Sequence, residues 1–223
     1  MYLLLIPVRD YFMFDSELLD HRHGSLNANY LKKIENVLQY ALDEHARTLA
    51  VRVDLRLSPS WVRDDTLTCH PNLQADLLSR FVCSVKAKIR HYRKMLLKEG
   101  KKAHACTPRY FWVKESDSAE SPHYHLVMFF NKDLFRGLGR FDSEENNLAS
   151  MIRQAWLSAL DLKGYDEYQP LVHFPKNGVY ILDRNAPDFV NNFNHLVFRL
   201  SYLAKENTKV YSPNERSMGA SQK

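Results

Sequence analysis

Regular patterning begins at about Leu26. From there to Ala46, Tyr30, Leu31, Ile34, Val37, Leu38, Ala41 and Leu42 recur at helical intervals, which predicts an amphipathic helix with Asn27 as its cap. The period then changes. Between Leu49 and Leu57, Val51, Val53, Leu55 and Leu57 alternate with Arg52, Asp54 and Arg56, the pattern of a half-buried strand stopped by Ser58-Pro59. A longer helix is predicted from about Leu73 to Glu99, ending at Gly100. Arg109 to Glu115 and His123 to Phe130 are rich in aromatic and β-branched residues. With the polar segment Ser116 to Pro122 between them, they predict a β-hairpin. Ser143 to Leu160 reads as a helix capped by Ser143, with Glu144 and Glu145 in its first turn. Two short strands, near Leu171 to Phe174 and Val179 to Leu182, are joined by a Pro175-Lys-Asn-Gly178 turn. The last helix is expected from about Pro187 to Glu206.

Past the first helix this order is β-α-β-β-α-β-β-α. It predicts an α+β fold: a five-stranded antiparallel sheet with a split β-α-β connection, ferredoxin- or RRM-like, flanked by helices. Residues 1–47 read as an N-terminal helical extension and 48–211 as the main domain. Residues 212–223 have nothing to bury and read as a flexible tail.

With 223 residues, 45% of them hydrophobic, the chain can build one sizeable core, which excludes wholesale disorder. Its longest apolar runs, such as Leu126 to Phe130, fall far short of the roughly 20 residues of a transmembrane helix. The start, Met1 to Ile6, lacks a basic leader and is cut short by Pro7 and Arg9, so it does not read as a secretory signal. Cys69, Cys83 and Cys106 form no CxxC pair. Reduced thiols in a cytoplasmic protein are therefore the expectation.

The net charge of +5 is modest, but its distribution is uneven. Lys86, Lys88, Arg90, Arg93, Lys94, Lys98, Lys101 and Lys102 crowd one stretch, opposed only by Glu99, while Phe81, Val82, Val85, Ile89, Met95 and Leu96 recur at helical spacing. The result is a basic helical face. It suits a phosphate backbone, and equally a solvated surface.

Candidate chemistry concentrates on the third strand. His123 and His125 are two residues apart, so both imidazoles leave one face of the sheet. If Glu115 pairs with His123 across the hairpin, their Cβ atoms lie about 5 Å apart on that same face. Glu115, His123 and His125 would then offer two nitrogens and a carboxylate to a divalent metal, Mg²⁺ or Mn²⁺ in a phosphoryl-transfer setting, with Zn²⁺ also compatible. A His-x-His pair in a strand also describes two surface histidines. The other such pair, His21 and His23, lies in a polar stretch and reads as solvated. Asp54 reads as a salt-bridge partner for a neighbouring arginine or as a further ligand, and His173 as a sheet histidine or a site residue. On the last helix Phe189, Phe193, Leu196, Val197 and Leu200 form an apolar stripe. Tyr202 lies almost opposite, beside His195, Arg199 and Lys205. A tyrosine on a polar face among cations is a candidate nucleophile.

These residues together resemble the HUH endonucleases, the replication initiators, relaxases and single-strand transposases named for a His-hydrophobic-His motif. The pair here is His123-Tyr-His125, the helix motif is Tyr202-Leu-Ala-Lys205, and Glu115 stands eight residues before the first histidine. The stretch from about Leu49 to Lys209 is similar, more specifically, to the YagK/YfjJ C-terminal domain family, related to inovirus replication initiators and common in prophages. Its Tyr-Leu-Ala-Lys-Glu-Asn-Thr-Lys ending carries most of that likeness. The resemblance implies an HUH palm, a metal on Glu115, His123 and His125, and attack by Tyr202 on a DNA phosphate, assisted by Lys205. The position a turn beyond Tyr202 is Glu206 rather than a second tyrosine, which makes this a single-tyrosine pattern.

The resemblance thus implies an initiator of rolling-circle replication in a bacterial cytoplasm. It would hold single-stranded origin DNA through Arg52, Arg56, Lys86, Arg90, Arg93, Lys94 and Arg199. No G-x-x-x-x-G-K-[ST] loop is present, so no nucleotide cofactor is expected and unwinding would fall to a host helicase. Rival readings are an RNA-recognition-like binding module, a regulator that keeps DNA binding without turnover, and a single-strand transposase.

Overall fold

The computed structural model describes residues 14–58, 61, 69–116, 122–140, 147–207, 209, 211 and 216–223. In chain order they form α1 (Ala28–Glu44), β1 (Arg47–Leu55), α2 (Leu77–Lys98), β2 (Arg109–Glu115), β3 (His123–Asn131) and α3 (Leu148–Ala159), followed by β4 (Val172–His173), β5 (Val179–Asp183), α4 (Phe189–Ser201) and β6 (Met218–Ala220). The class is α+β, with one antiparallel sheet of six strands between two layers of helices. β1 and β2 flank β3 in the order β4-β1-β3-β2-β6, and β5 also pairs with β1.

β1 departs from the half-buried strand that its alternation predicts. Leu49, Val51, Val53 and Leu55 pack with α2 and α3, burying one face as expected. The other face is buried too: Thr48, Arg52 and Asp54 are covered, and Ala50 packs with α1 and α4. Alternation shows which residues share a face. It does not show whether a second helical layer covers the polar one.

α1 supplies part of that layer. Asn27 caps it, its side chain accepting from the Tyr30 amide as the sequence predicts. Tyr30, Ile34, Val37, Leu38, Ala41 and Leu42 pack onto Phe111, Val113, Val127 and Phe129. Within the segment expected as an extension, α1 is therefore part of a layer of the fold. The chain before it is tied down as well: the Asn27 amide donates to Ala204 O at 2.7 Å and the Glu206 amide to Ser25 O at 2.9 Å.

The chain end also differs from expectation. Instead of trailing free, Met218–Ala220 pairs with the outer edge of β2, Trp112 opposite Gly219 and Val113 opposite Met218. Backbone amides and carbonyls of β2 need partners whatever side chains supply them, so a segment with little apolar surface can still complete a sheet. The two short strands β4 and β5 lie along one edge of β1, at Asp54↔His173 and Val51↔Val179, separated by the Pro175 to Gly178 turn. A Cβ on Gly178 would sit 2.8 Å from Pro175 O, so the turn requires glycine.

α3 starts at an Asn147 capping box with Ser150, while the cap expected at Ser143, with Glu144 and Glu145, lies outside the described residues. α4 is shorter than predicted. It ends at Ser201 and tightens into a 3₁₀ turn over Tyr202–Ala204, after which Lys205 is extended. Trp112 and Trp156 are core residues, the Trp156 indole donating to Arg56 O at 3.1 Å. The cysteines are free thiols, and no helix among the described residues is long and apolar enough to cross a membrane.

Gly219 is the close-packed point of the sixth strand: a Cβ there would fall 2.4 Å from Trp112 Nε1. Gly219→Ala should loosen β6 or displace the indole, lowering stability by about 1–3 kcal/mol. Urea unfolding followed by tryptophan fluorescence measures this, and an unchanged midpoint would show that β6 does not contribute to the cooperative unit.

Candidate functional site

The buried polar face of the sheet carries the candidate site. Register does the positioning: Glu115 pairs with His123, and Asp54 pairs with both His125 and His173, so four strands deliver their side chains to one row. The Glu115–His123 pairing is the one the hairpin predicts. Donor atoms of Glu115, His123 and His125 lie within 4.8 Å of one another, a grouping able to hold a metal ion.

Asp54 orients this group. Its Oδ1 is 2.6 Å from His125 Nδ1 and 3.2 Å from Arg52 Nη2, and its Oδ2 is 3.3 Å from His173 Nδ1. Asp54 pairs with Arg52, as its salt-bridge reading expects, and it also reaches both histidines, while the group able to hold a metal consists of Glu115, His123 and His125. With His125 Nδ1 engaged, Nε2 faces Glu115 Oε2 at 3.5 Å. A carboxylate behind an imidazole fixes the ring and raises its basicity as a ligand.

Glu115 is almost fully enclosed, and lysines meet both of its oxygens. Lys205 Nζ lies 3.0 Å from Oε2, and Lys209 Nζ is paired with Oε1. Burial alone would raise both carboxyls. The hydrogen bond and charge of His125 outweigh it at Asp54, helped by Arg52. At Glu115 the His125 bond and the Lys209 charge do the same, so both lie well below the usual carboxylate range. Burial works against the His125 cation, but bonds to Asp54 and Glu115 raise its pKa.

The helix-ending turn of α4 brings Tyr202 into the same cluster. Lys205 donates to Tyr202 Oη at 2.7 Å, and its Nζ lies 4.2 Å from the ring centroid. The Tyr202 ring stands edge-on to His125, centroids 5.9 Å apart, and to His23 at 4.9 Å. Burial lowers the Lys205 pKa, but the bonds to Tyr202 and Glu115 raise it above its ordinary value, so it stays an ammonium.

Tyr202, Lys205, Glu115, His123 and His125 thus come together, with Arg52 and Arg199 lining an adjoining cavity of about 300 Å³. The remaining expected DNA contacts do not join them. Lys86, Arg90, Arg93 and Lys94 lie on α2, in the layer on the opposite side of the sheet, and Arg56 is exposed just beyond β1. Arg52 is buried rather than a surface contact.

The sequence leaves Asp54 and His173 open, and its polar local pattern makes His21 and His23 read as solvated. His21 and His23 are both exposed, as expected, but the 3₁₀ turn His21–His23 also borders the Tyr202 cavity, with the Arg22 guanidinium over Phe198 at 5.1 Å. No local signal points there, because the contact joins residues far apart in sequence. Lys209, the last residue of the family-like C-terminal ending, emerges as a direct partner of Glu115.

An α+β protein with a buried carboxylate–histidine row facing a lysine-bonded tyrosine is the class that fold and site define. Residues 9–221 match the YagK/YfjJ C-terminal domain family, and the chain belongs to it. A relative from Escherichia coli (strain K12), named Uncharacterized protein YagK, is 38% identical over 200 residues, spanning 90% of this chain and 95% of that protein. Uncharacterized protein YfjJ of the same organism is 33% identical over 204 residues, 91% of this chain and 98% of its own. No solved structure gives a significant match.

Because the folded carboxyls ionise below their ordinary values of 3.8 and 4.5, they contribute stability that is complete above those values and lost as pH falls through the folded ones. Stability should therefore decline from about pH 5 downward. Glu115→Gln should flatten the decline in a urea-midpoint series, and an equally steep decline would show that Glu115 does not drive it. Lys209→Met removes a cation that competes for Glu115, so Mn²⁺ should bind roughly tenfold more tightly by calorimetry, one pKa unit's worth of charge competition. Unchanged affinity would mean that metal and lysine do not share the carboxylate.

Proposed function

We propose that this protein is a single-tyrosine HUH-type endonuclease that nicks single-stranded DNA and transfers the strand to Tyr202. The observation that carries the reading is the convergence of Tyr202, hydrogen-bonded by Lys205, on the Glu115–His123–His125 group from a separate helix. The strand order, with β3 between β1 and β2, supports the palm topology that the reading requires.

Glu115, His123 and His125 would hold Mg²⁺ or Mn²⁺, which when bound supplies Lewis-acid polarisation of a phosphate oxygen. Asp54 keeps His125 Nδ1 engaged and its Nε2 turned toward Glu115. Tyr202 Oη attacks phosphorus in line. The P–O bond to the 3′-oxygen breaks, that oxygen takes up a proton, and the phenolic proton leaves to solvent. A 3′-hydroxyl and a 5′-phosphotyrosine result. The Lys205 ammonium is placed to hold charge developing on the phenol oxygen. One phosphodiester replaces another, so the free 3′-hydroxyl can reverse the step without ATP. The biological setting would be rolling-circle replication of a prophage-like element in a bacterial cytoplasm, with unwinding by a host helicase.

One observation favours a second reading, a non-catalytic nucleic-acid-binding regulator. Lys205 and Lys209 already neutralise both oxygens of Glu115, which would suit a site that works without metal.

A denaturing gel of the protein with labelled single-stranded DNA from its own replicon, in Mn²⁺ or EDTA, separates the two. The expected outcome is a metal-dependent labelled band at the protein's mass, abolished in Tyr202→Phe while DNA binding persists. Adduct formation surviving in Tyr202→Phe would exclude Tyr202 as nucleophile. Binding without an adduct on any replicon segment would favour the regulator.

A further inference from the structure

Beside Tyr202, Arg52 and Arg199 line the cavity of about 300 Å³ together with Arg22, His23, Asp54 and His125. That is room for roughly ten waters, or for a phosphate group with some of its hydration.

Arg52 is the unusual member. Its side chain is 4% exposed, and only Nη2 has a partner, Asp54 at 3.2 Å. Nε and Nη1 are buried with no hydrogen-bond partner among the described residues. Leaving two guanidinium donors buried and unpaired is costly, since desolvation is not repaid. Arg199 approaches from α4 with its own Nε buried and unpartnered, and it makes no ion pair with a described residue. Two like charges facing one cavity repel unless an anion stands between them. The cavity's own carboxylates fill that role only in part, since Asp54 meets one Arg52 nitrogen and no described carboxylate pairs with Arg199. Asp20 is held by both Arg22 Nε and Nη2, at 2.7 and 2.8 Å, and Asp54 is shared among His125, His173 and Arg52.

We infer that Arg52 and Arg199 form a cradle for one phosphate oxyanion next to Tyr202, and that this phosphate belongs to single-stranded DNA. Paired donors of this kind match the oxygens of a phosphate, which a lysine can meet only as a point charge. The DNA assignment rests on the nicking reading; the cradle does not. In that setting the cradle fixes the strand's register against Tyr202 through a single backbone group, while α2 in the opposite layer contributes nothing to that register.

The test uses the full chain. At matched ionic strength, inorganic phosphate in place of chloride should raise the melting temperature of the unaltered protein and of Lys163→Gln, a remote surface control. Arg199→Gln, altered at a partly exposed position that should tolerate it, should bind phosphate roughly tenfold more weakly. Arg52→Lys, which keeps the charge but loses the fork, should also lose most of the shift. Equal shifts in all four proteins would overturn the cradle.

A second arm walks single neutral methylphosphonate linkages along bound single-stranded DNA in Tyr202→Phe without metal. Neutralising one linkage should weaken binding about tenfold there, and should have little further effect in Tyr202→Phe/Arg199→Gln. Phosphate discrimination without any such coupled linkage would overturn the DNA assignment. The nicking reading fails separately. An absent adduct with phosphate discrimination intact defeats the nuclease and leaves the cradle, whereas a normal adduct with equal phosphate shifts does the reverse.

Discussion

Two carboxylates, Asp54 and Glu115, sit on a sheet face that the fold closes over, and the surrounding charge answers that burial. His125 stands between them, Arg52 and His173 meet Asp54, and Lys205 and Lys209 meet Glu115. Apolar residues of similar volume would stabilise a sheet at least as well, because buried charges recover their desolvation cost only with close partners. A network of this size is therefore poorly explained by stability. It is the arrangement that the proposed chemistry would need, with fixed imidazoles, a carboxylate and a neighbouring ammonium.

The same network explains why the segments just before α1 and just after α4 close on one place. Tyr202 and Lys205 come from the turn that ends α4, Lys209 from the segment after it, and His23 from the turn before α1. Leu26 bridges to Lys205 and Glu115 bridges to Lys209, so backbone pairing ties these segments to each other and to β2. Ending α4 at Ser201 matters here. The tight turn sets the spacing at which the Lys205 ammonium meets the Tyr202 oxygen, instead of continuing a straight helix past the site.

Placing the basic helix α2 on the far side of the sheet separates two sets of positive charge. Lys86, Arg90, Arg93 and Lys94 present a surface suited to long-range attraction of a polyanion. Arg52 and Arg199 instead line a partly open cavity, where a buried guanidinium makes a stronger hydrogen bond than an exposed one. Under the proposed function, a strand engaging both sets would have to pass around an edge of the sheet, and capture and positioning would fall to distinct surfaces.

Much of this was legible along the chain. The Asn27 cap, the alternation of β1, the period of α2 and the hairpin predict the main elements, and the hairpin register alone puts Glu115 opposite His123. These features depend on local spacing, which the backbone periods of helix and strand convert directly into shared faces. Other features needed the assembled molecule. Whether the Arg52–Asp54 face meets water or a second helical layer, whether residues near the C-terminus add a strand, and whether His23 stands against Tyr202 all depend on segments distant in sequence. Backbone hydrogen bonds at a sheet edge leave no mark in side-chain composition. A buried charge network is defined by which partners reach it in three dimensions, so a lone Asp, Arg or Lys on the chain does not reveal its role.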